Sequence, residues 1–196
     1  MKKYKVFIAC DTSSIKKVKK IISKTKSKEL EIGYKFGLEF FYSKNGRSFI
    51  SKMASLPIFL DLKLNDIPNT AVSALNAIKD LKNIRYLTIH ANGGLEMISN
   101  IKKVAKKNNK KLKILAVTVL TSFNEKSIKQ IGYSKKIKEI VIKQSKLAEK
   151  AKLDGIVCSA HEIKFIKKIS KKMEIITPGI RMIKEKFDDQ KRVVTP

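Results

Sequence analysis

The chain has 196 residues, 43% hydrophobic and 31% charged, with 44 Lys and Arg against 17 Asp and Glu, for a formal net charge of +27. Length and apolar share suit one folded domain over residues 1–196 and exclude a disordered tail, while no apolar run approaches the ~20 residues needed to span a bilayer. Two distant cysteines, Cys10 and Cys158, and two histidines, His90 and His161, exclude a disulfide framework and a His-x-x-x-His zinc site.

Short β-branched runs alternate along the chain with longer amphipathic stretches. Tyr4–Cys10 reads as a first strand rather than a signal sequence, because its apolar run is short and stops at Asp11, so a cytoplasmic protein is expected. Further strands are expected at Glu31–Lys35, Pro57–Lys63, Tyr86–His90, Lys113–Val119, Gly155–Cys158 and Glu174–Thr177. Between them helices are expected near 14–25, 37–53, 68–81, 95–108, 135–152 and 161–172; Ile140, Ile142, Leu147 and Ala151 illustrate the helical spacing. Each connection is too long for a hairpin and suits a helical crossover between parallel strands.

Polar residues follow nearly every strand: Asp11, Lys35, Asp61 with Lys63, His90, Thr121 with Ser122, Ser159, and Pro178-Gly179-Ile180-Arg181. An open doubly wound sheet gathers only the residues at its switch point, whereas a barrel brings all strand C-termini to one mouth. No G-x-G-x-x-G follows the first strand. The expected fold is therefore an α/β (β/α)8 TIM barrel. Such a barrel needs eight strands and typically ~250 residues. Seven are counted, and the sequence stops at Val193-Val194-Thr195-Pro196, so the last strand and its flanking helices are expected to be missing. Exposed strand edges and a tendency to aggregate would follow.

The most informative stretch runs from Phe59 to Thr70, F-L-D-L-K-L-N-D-I-P-N-T. Residues two apart on a strand point the same way, which places Asp61 and Lys63 on one face at the strand end. Asp66 follows in a loop, from which it can turn back or reach a neighbouring subunit. A bare Asp-x-Lys is equally consistent with a solvated ion pair. Asp11, Lys35, Asp61, Lys63 and Asp66 together alternate in sign, and burying such a cluster requires each charge to be paired. A Lys held between carboxylates keeps its proton and suits protonation of a carbanion-like centre. Two of the four Arg, Arg181 and Arg192, fall in one late segment, a placement that suits phosphate recognition. The other 40 basic residues are Lys spread over nearly every helix, which argues against a nucleic-acid partner, since such proteins concentrate Arg and Lys with aromatics on one face. His90 reads as a supporting or structural residue, and neither Ser122 nor Ser159 has a Ser-His-Asp setting.

The motifs F-I-A-C-D at 7–11, G-Y-K-F-G at 33–37, D-L-K-L-N-D-I-P-N-T at 61–70, T-I-H-A-N-G-G at 88–94, T-V-L-T-S at 118–122, D-G-I-V-C-S-A-H-E at 154–162, T-P-G-I-R at 177–181 and D-Q-K-R-V-V-T-P at 189–196 resemble those of the bacterial orotidine 5'-phosphate decarboxylases. The resemblance implies conversion of orotidine 5'-monophosphate to uridine 5'-monophosphate and CO2, the last step of de novo pyrimidine synthesis, by a homodimeric barrel without metal or cofactor. It implies that Lys63 donates the proton to C6, that Asp61 belongs to the same charged network, and that Asp66, Ile67 and Thr70 enter the partner subunit's site. Asp11 and Lys35 would contact the ribose, Thr121 the pyrimidine, and Arg181 and Gln190 the phosphate. The segment Ile180–Asp189 is shorter than the family's loop, and the family's terminal Gly-Arg pair is absent from these 196 residues. Three rival readings remain at this level: a magnesium-dependent sugar-phosphate decarboxylase of the same suprafamily, an inactive truncated fragment with a basic, nucleic-acid-binding surface, and a phosphate-binding barrel without chemistry.

Overall fold

A computed structural model describes residues 5–53 and 55–178. Seven strands are present among them: β1 Lys5–Ala9, β2 Glu31–Gly37, β3 Ile58–Leu64, β4 Ile84–His90, β5 Lys113–Val117, β6 Gly155–Val157 and β7 Glu174–Ile176. They form one sheet in the order β1-β2-β3-β4-β5-β6-β7, and every neighbouring pair is parallel. A doubly wound sheet would reverse its order at a switch point. Here each strand is added on the same side of the last.

The two faces of the sheet confirm a barrel-type layout. One face carries Ile8, Tyr34, Phe36, Ile58, Leu60, Leu87, Ile89, Ile114 and Ile156, which join the main core with helix residues such as Val18, Phe40, Leu75, Ile101, Val141 and Ile166. The alternate positions Phe7, Phe59, Tyr86, Leu115, Val157 and Ile176 form a second cluster made of strand residues alone. Period-2 alternation thus sorts side chains between an outer, helix-covered layer and an interior filled by the strands themselves. Phe7 meets Phe59 and Tyr86 edge-on, with ring centroids 5.5 and 5.2 Å apart. Each fully buried Ile, Leu or Phe removes apolar surface worth about 1.5–3 kcal/mol.

The outer layer contains α1 Ile15–Lys24, α2 Leu38–Phe41, α3 Gly46–Ser51, α4 Pro68–Ala77, α5 Gly94–Asn108, α6 Glu125–Gln130, α7 Ile137–Lys150 and α8 Ile163–Ile169. Local chemistry sets their ends. Ser14 caps α1 by accepting from the Lys17 N–H, and Pro68 opens α4, where a missing N–H costs nothing. The buried Asn83 amide donates to the carbonyls of Ile50 (2.9 Å) and Met53 (3.0 Å), which satisfies the end of α3 and ties it to β4.

The helices differ from expectation in two places. The single helix over 37–53 is split into α2 and α3, because Ser43 folds back on the Phe40 carbonyl (2.7 Å) and Gly46 packs directly against that same carbonyl, where a Cβ would collide. The loop after β5 contains an additional helix, α6, fixed by a capping box between Asn124 and Ser127. At the strands' N-terminal end, Tyr86 donates to Glu174 (2.7 Å), which also pairs with Lys113, and Lys102 bonds both oxygens of Asp154 (2.5 and 2.6 Å). These contacts link β4, β5 and β7, and α5 with the start of β6, on the side away from the mouth.

Candidate active site

Four charged side chains meet where β1, β2 and β3 end. Asp11 follows β1, Lys35 lies near the end of β2, and Asp61 and Lys63 lie on β3. The Lys35 ammonium bridges Asp11 Oδ1 at 3.2 Å and Asp61 Oδ2 at 3.4 Å, and the Lys63 ammonium reaches Asp61 Oδ2 at 2.9 Å. The charges run −, +, −, + and sum to zero, which meets the pairing requirement for a partly buried cluster. Asp61 is the hub, with a side chain only 13% exposed; those of Lys63 and Asp11 are 31% and 65% exposed, so the series opens from Asp61 toward solvent.

Electrostatics fix the hub's state. Burial pushes the Asp61 carboxyl up, but the Lys63 and Lys35 ammoniums, with hydrogen bonds from Lys63 and Thr88, outweigh it and hold the group below the usual carboxylate value. Neighbouring His90 is lowered, first by burial and then by the Lys63 charge, against the opposing pull of Asp61. Burial and the Asp11 charge push the Cys10 thiol up to about 11, against Lys35, so Cys10 stays protonated and unreactive at neutral pH.

Regular strand alternation does not bring Lys63 to Asp61. Leu60 pairs with Leu87 and Leu64 with Ile89, so Asp61, Leu62 and Lys63 all lie opposite the single residue Thr88. Lys63 absorbs this excursion with φ +50°, in the left-handed region. For a non-glycine residue that conformation costs about 1–3 kcal/mol and persists only where the surroundings enforce it. The Thr88 hydroxyl, fully buried, accepts from the Lys63 N–H at 2.9 Å and donates to Asp61 Oδ1 at 2.9 Å. Sequence reasoning missed Thr88, since nothing in the local sequence marks the loss of register.

The remaining expected site residues are placed differently. Asp66 is exposed and accepts from the adjacent Ile67 N–H at 2.7 Å; within one chain it stands outside the quartet. The third carboxylate of the expected five-residue cluster is therefore not brought to the quartet within one chain. Ile67, 68% exposed, caps α4, and Thr70 lies exposed in that helix's first turn. Thr121 is half-buried in the turn after β5. Arg181 and Gln190 fall outside the described residues. Among the described residues no three His, Cys, Asp or Glu groups are placed to hold a metal ion. The space between Asp11 and Asp61 is spanned by the Lys35 ammonium, which occupies the position a bridging cation would need.

Comparison with known proteins gives a consistent family. The profile of the "Orotidine 5'-phosphate decarboxylase / HUMPS family" matches residues 4–196. An orotidine 5'-phosphate decarboxylase of Sphingopyxis alaskensis is 43% identical over 166 residues, covering 84% of this chain and 72% of the relative. One from Buchnera aphidicola is 40% identical over 195 residues, covering 98% and 81% respectively. The crystal structure of orotidine 5'-phosphate decarboxylase from Lactobacillus acidophilus superposes with a TM-score of 0.82 at 33% identity, over 91% of this chain and 82% of that one. The Methanocaldococcus jannaschii enzyme, complexed with inhibitor BMP, gives 0.74 at 25% identity, over 96% and 83%.

Proposed function

The chain belongs to the orotidine 5'-phosphate decarboxylase / HUMPS family, whose reaction here is the decarboxylation of orotidine 5'-monophosphate to uridine 5'-monophosphate and CO2 in pyrimidine biosynthesis, and we propose that the quartet of Asp11, Lys35, Asp61 and Lys63 carries it. The observation that carries the residue assignment is the Lys63 ammonium, held at 2.9 Å on the buried carboxylate of Asp61. As the bond from C6 to the carboxylate breaks, its electron pair stays on C6 and CO2 leaves. A proton passes from the Lys63 ammonium to C6, which leaves a neutral amine to be recharged from solvent. An ammonium has three donors, so Lys63 can keep one on Asp61 while presenting another to the ring. Pre-placed charge of this kind acts where negative charge develops, and needs no reorganisation during the reaction.

The ribose hydroxyls suit Asp11 and Lys35, the outer pair of the quartet, and Thr121 lies in a strand-end turn from which it can meet the pyrimidine. Arg181 and Gln190 remain the proposed phosphate contacts. A homodimer would bring Asp66, Ile67 and Thr70 of one subunit to the other's site. The exposure of the apolar Ile67 beside Asp66 supports such an interface. An Asp66 from the partner would add negative charge beside the substrate carboxylate. Two buried free thiols, Cys10 and Cys158, suit a reducing cytoplasmic setting. The magnesium-dependent reading is disfavoured because Lys35 fills the gap between the two carboxylates.

The test is loss of orotidine 5'-monophosphate absorbance with the purified chain, without added metal, beside Lys63→Ala. We expect turnover by the wild type and a drop of at least about 10²-fold in the variant, with the fold kept, as for loss of a positioned proton donor. A folded wild type without turnover, or turnover that appears only with magnesium, would overturn the proposal.

A further inference from the structure

Regular alternation would be expected to bring Lys63 and Asp61 to one face, yet here their pairing accompanies a three-residue excursion in β3. Between the Leu60–Leu87 and Leu64–Ile89 pairs, the Lys63 N–H has moved out of the β3–β4 ladder. A buried N–H must find another acceptor. It finds the Thr88 hydroxyl, and the same oxygen passes its own proton to Asp61. One atom therefore serves as acceptor for the strained backbone and donor to the hub carboxylate. Its bond to Oδ1 also orients the carboxylate so that Oδ2 faces both ammoniums. Thr88 is fully buried, and its hydroxyl bonds both of these groups.

We propose that Thr88 is a positioning residue for the decarboxylation, its hydroxyl locking the left-handed Lys63 backbone to the Asp61 carboxylate so that the Lys63 ammonium is presented to the substrate. This inference rests on the reading of Lys63 as proton donor. A hydroxyl is the required chemistry, because Val matches the shape of Thr but can neither accept from Lys63 nor donate to Asp61. Ser keeps both bonds and loses only a methyl group.

The test compares wild type, Thr88→Val, Thr88→Ser and Lys63→Ala in the full chain, by steady-state kinetics and by a crystal structure of Thr88→Val. Thr88→Val is expected to lose on the order of 100-fold in kcat with little change in KM, the scale of a displaced reacting group. Thr88→Ser should stay within a few-fold of wild type, and the valine variant's structure should show Lys63 leaving the left-handed region or its ammonium leaving Asp61. Wild-type kcat in Thr88→Val, an effect on KM alone, or equal damage in Thr88→Ser would each overturn the role of the hydroxyl. If the wild type itself does not turn over, the proton-donor reading fails. The positioning claim is then judged by the crystal structure alone, and an unchanged Lys63 backbone and Lys63–Asp61 pair in Thr88→Val would overturn it. Turnover that is lost in Lys63→Ala but kept in Thr88→Val would sink the Thr88 inference and leave the proton-donor reading standing.

Discussion

Asp61 and His90 sit beside the same ammonium and respond to it in opposite ways. The positive charge of Lys63 helps keep Asp61 ionised, and it helps keep His90 neutral. For His90 the folded-state pKa lies below the unfolded value of about 6.5. Between the two values the unfolded chain binds more protons, so stability rises with pH across that window. The contribution of a neutral His90 is fully present above about 6.5 and is lost as pH falls toward its folded value. The melting-temperature difference between wild type and His90→Asn should therefore shrink as pH drops from 7.5 toward 5, in rough outline of this titration. A difference that stays constant or widens on acidification would show that the imidazole is not held neutral. At this scale the charged residues were legible in the sequence, because acids and amines at successive strand ends have few structural reasons to converge. Thr88 was not legible. A threonine in an apolar strand reads as ordinary β propensity, and its second role exists only once β3 has left register with β4.

The excursion in β3 is also the element-scale cost of the site. Lys63 at φ +50° is strained by its Cβ, and glycine alone relieves that strain. Both Lys63→Ala and Lys63→Gly delete the ammonium, so comparing them isolates the backbone. Lys63→Gly should be the more stable of the two by about 1 kcal/mol in denaturant unfolding, and equally inactive. Equal stability, or an advantage for alanine, would mean that the left-handed conformation carries no strain. Sequence pattern found each of the seven strands to within two residues at either end, because hydrophobic alternation and crossover lengths are local quantities. It found Asp61 and Lys63 on one face for a reason the structure replaces: the pair meets through the irregularity rather than through period 2. It also joined α2 and α3, since apolar residues such as Phe40, Phe49 and Ile50 continue a plausible helical stripe. The Asn45-Gly46 turn signal between them, and the close approach of Gly46 to the Phe40 carbonyl, decide against continuity.

Over the whole molecule the dominant quantity is a net charge of +27 acting on a doubly anionic or more strongly charged nucleotide substrate. The quartet itself is neutral, so the attraction comes from lysines distributed around the helices and acts at long range. Screening shortens its reach from ~30 Å at 0.01 M salt to ~3 Å at 1 M. Under the proposed function, kcat/KM should fall about tenfold or more over that range while kcat changes little, because the field governs encounter rather than chemistry. A kcat/KM that is insensitive to salt would show that the surface lysines do not steer the substrate. The strict succession of β1 through β7 has a further consequence, for synthesis on the ribosome. Among the described residues each strand after β1 pairs with the one made just before it, so pairing from β1 to β7 can follow the order of synthesis. Asp11 directly follows β1, and Lys35, Asp61, Lys63 and Thr88 lie in β2, β3 and β4. The charged cluster and the hydroxyl that holds it can therefore be assembled while the rest of the barrel is still being translated.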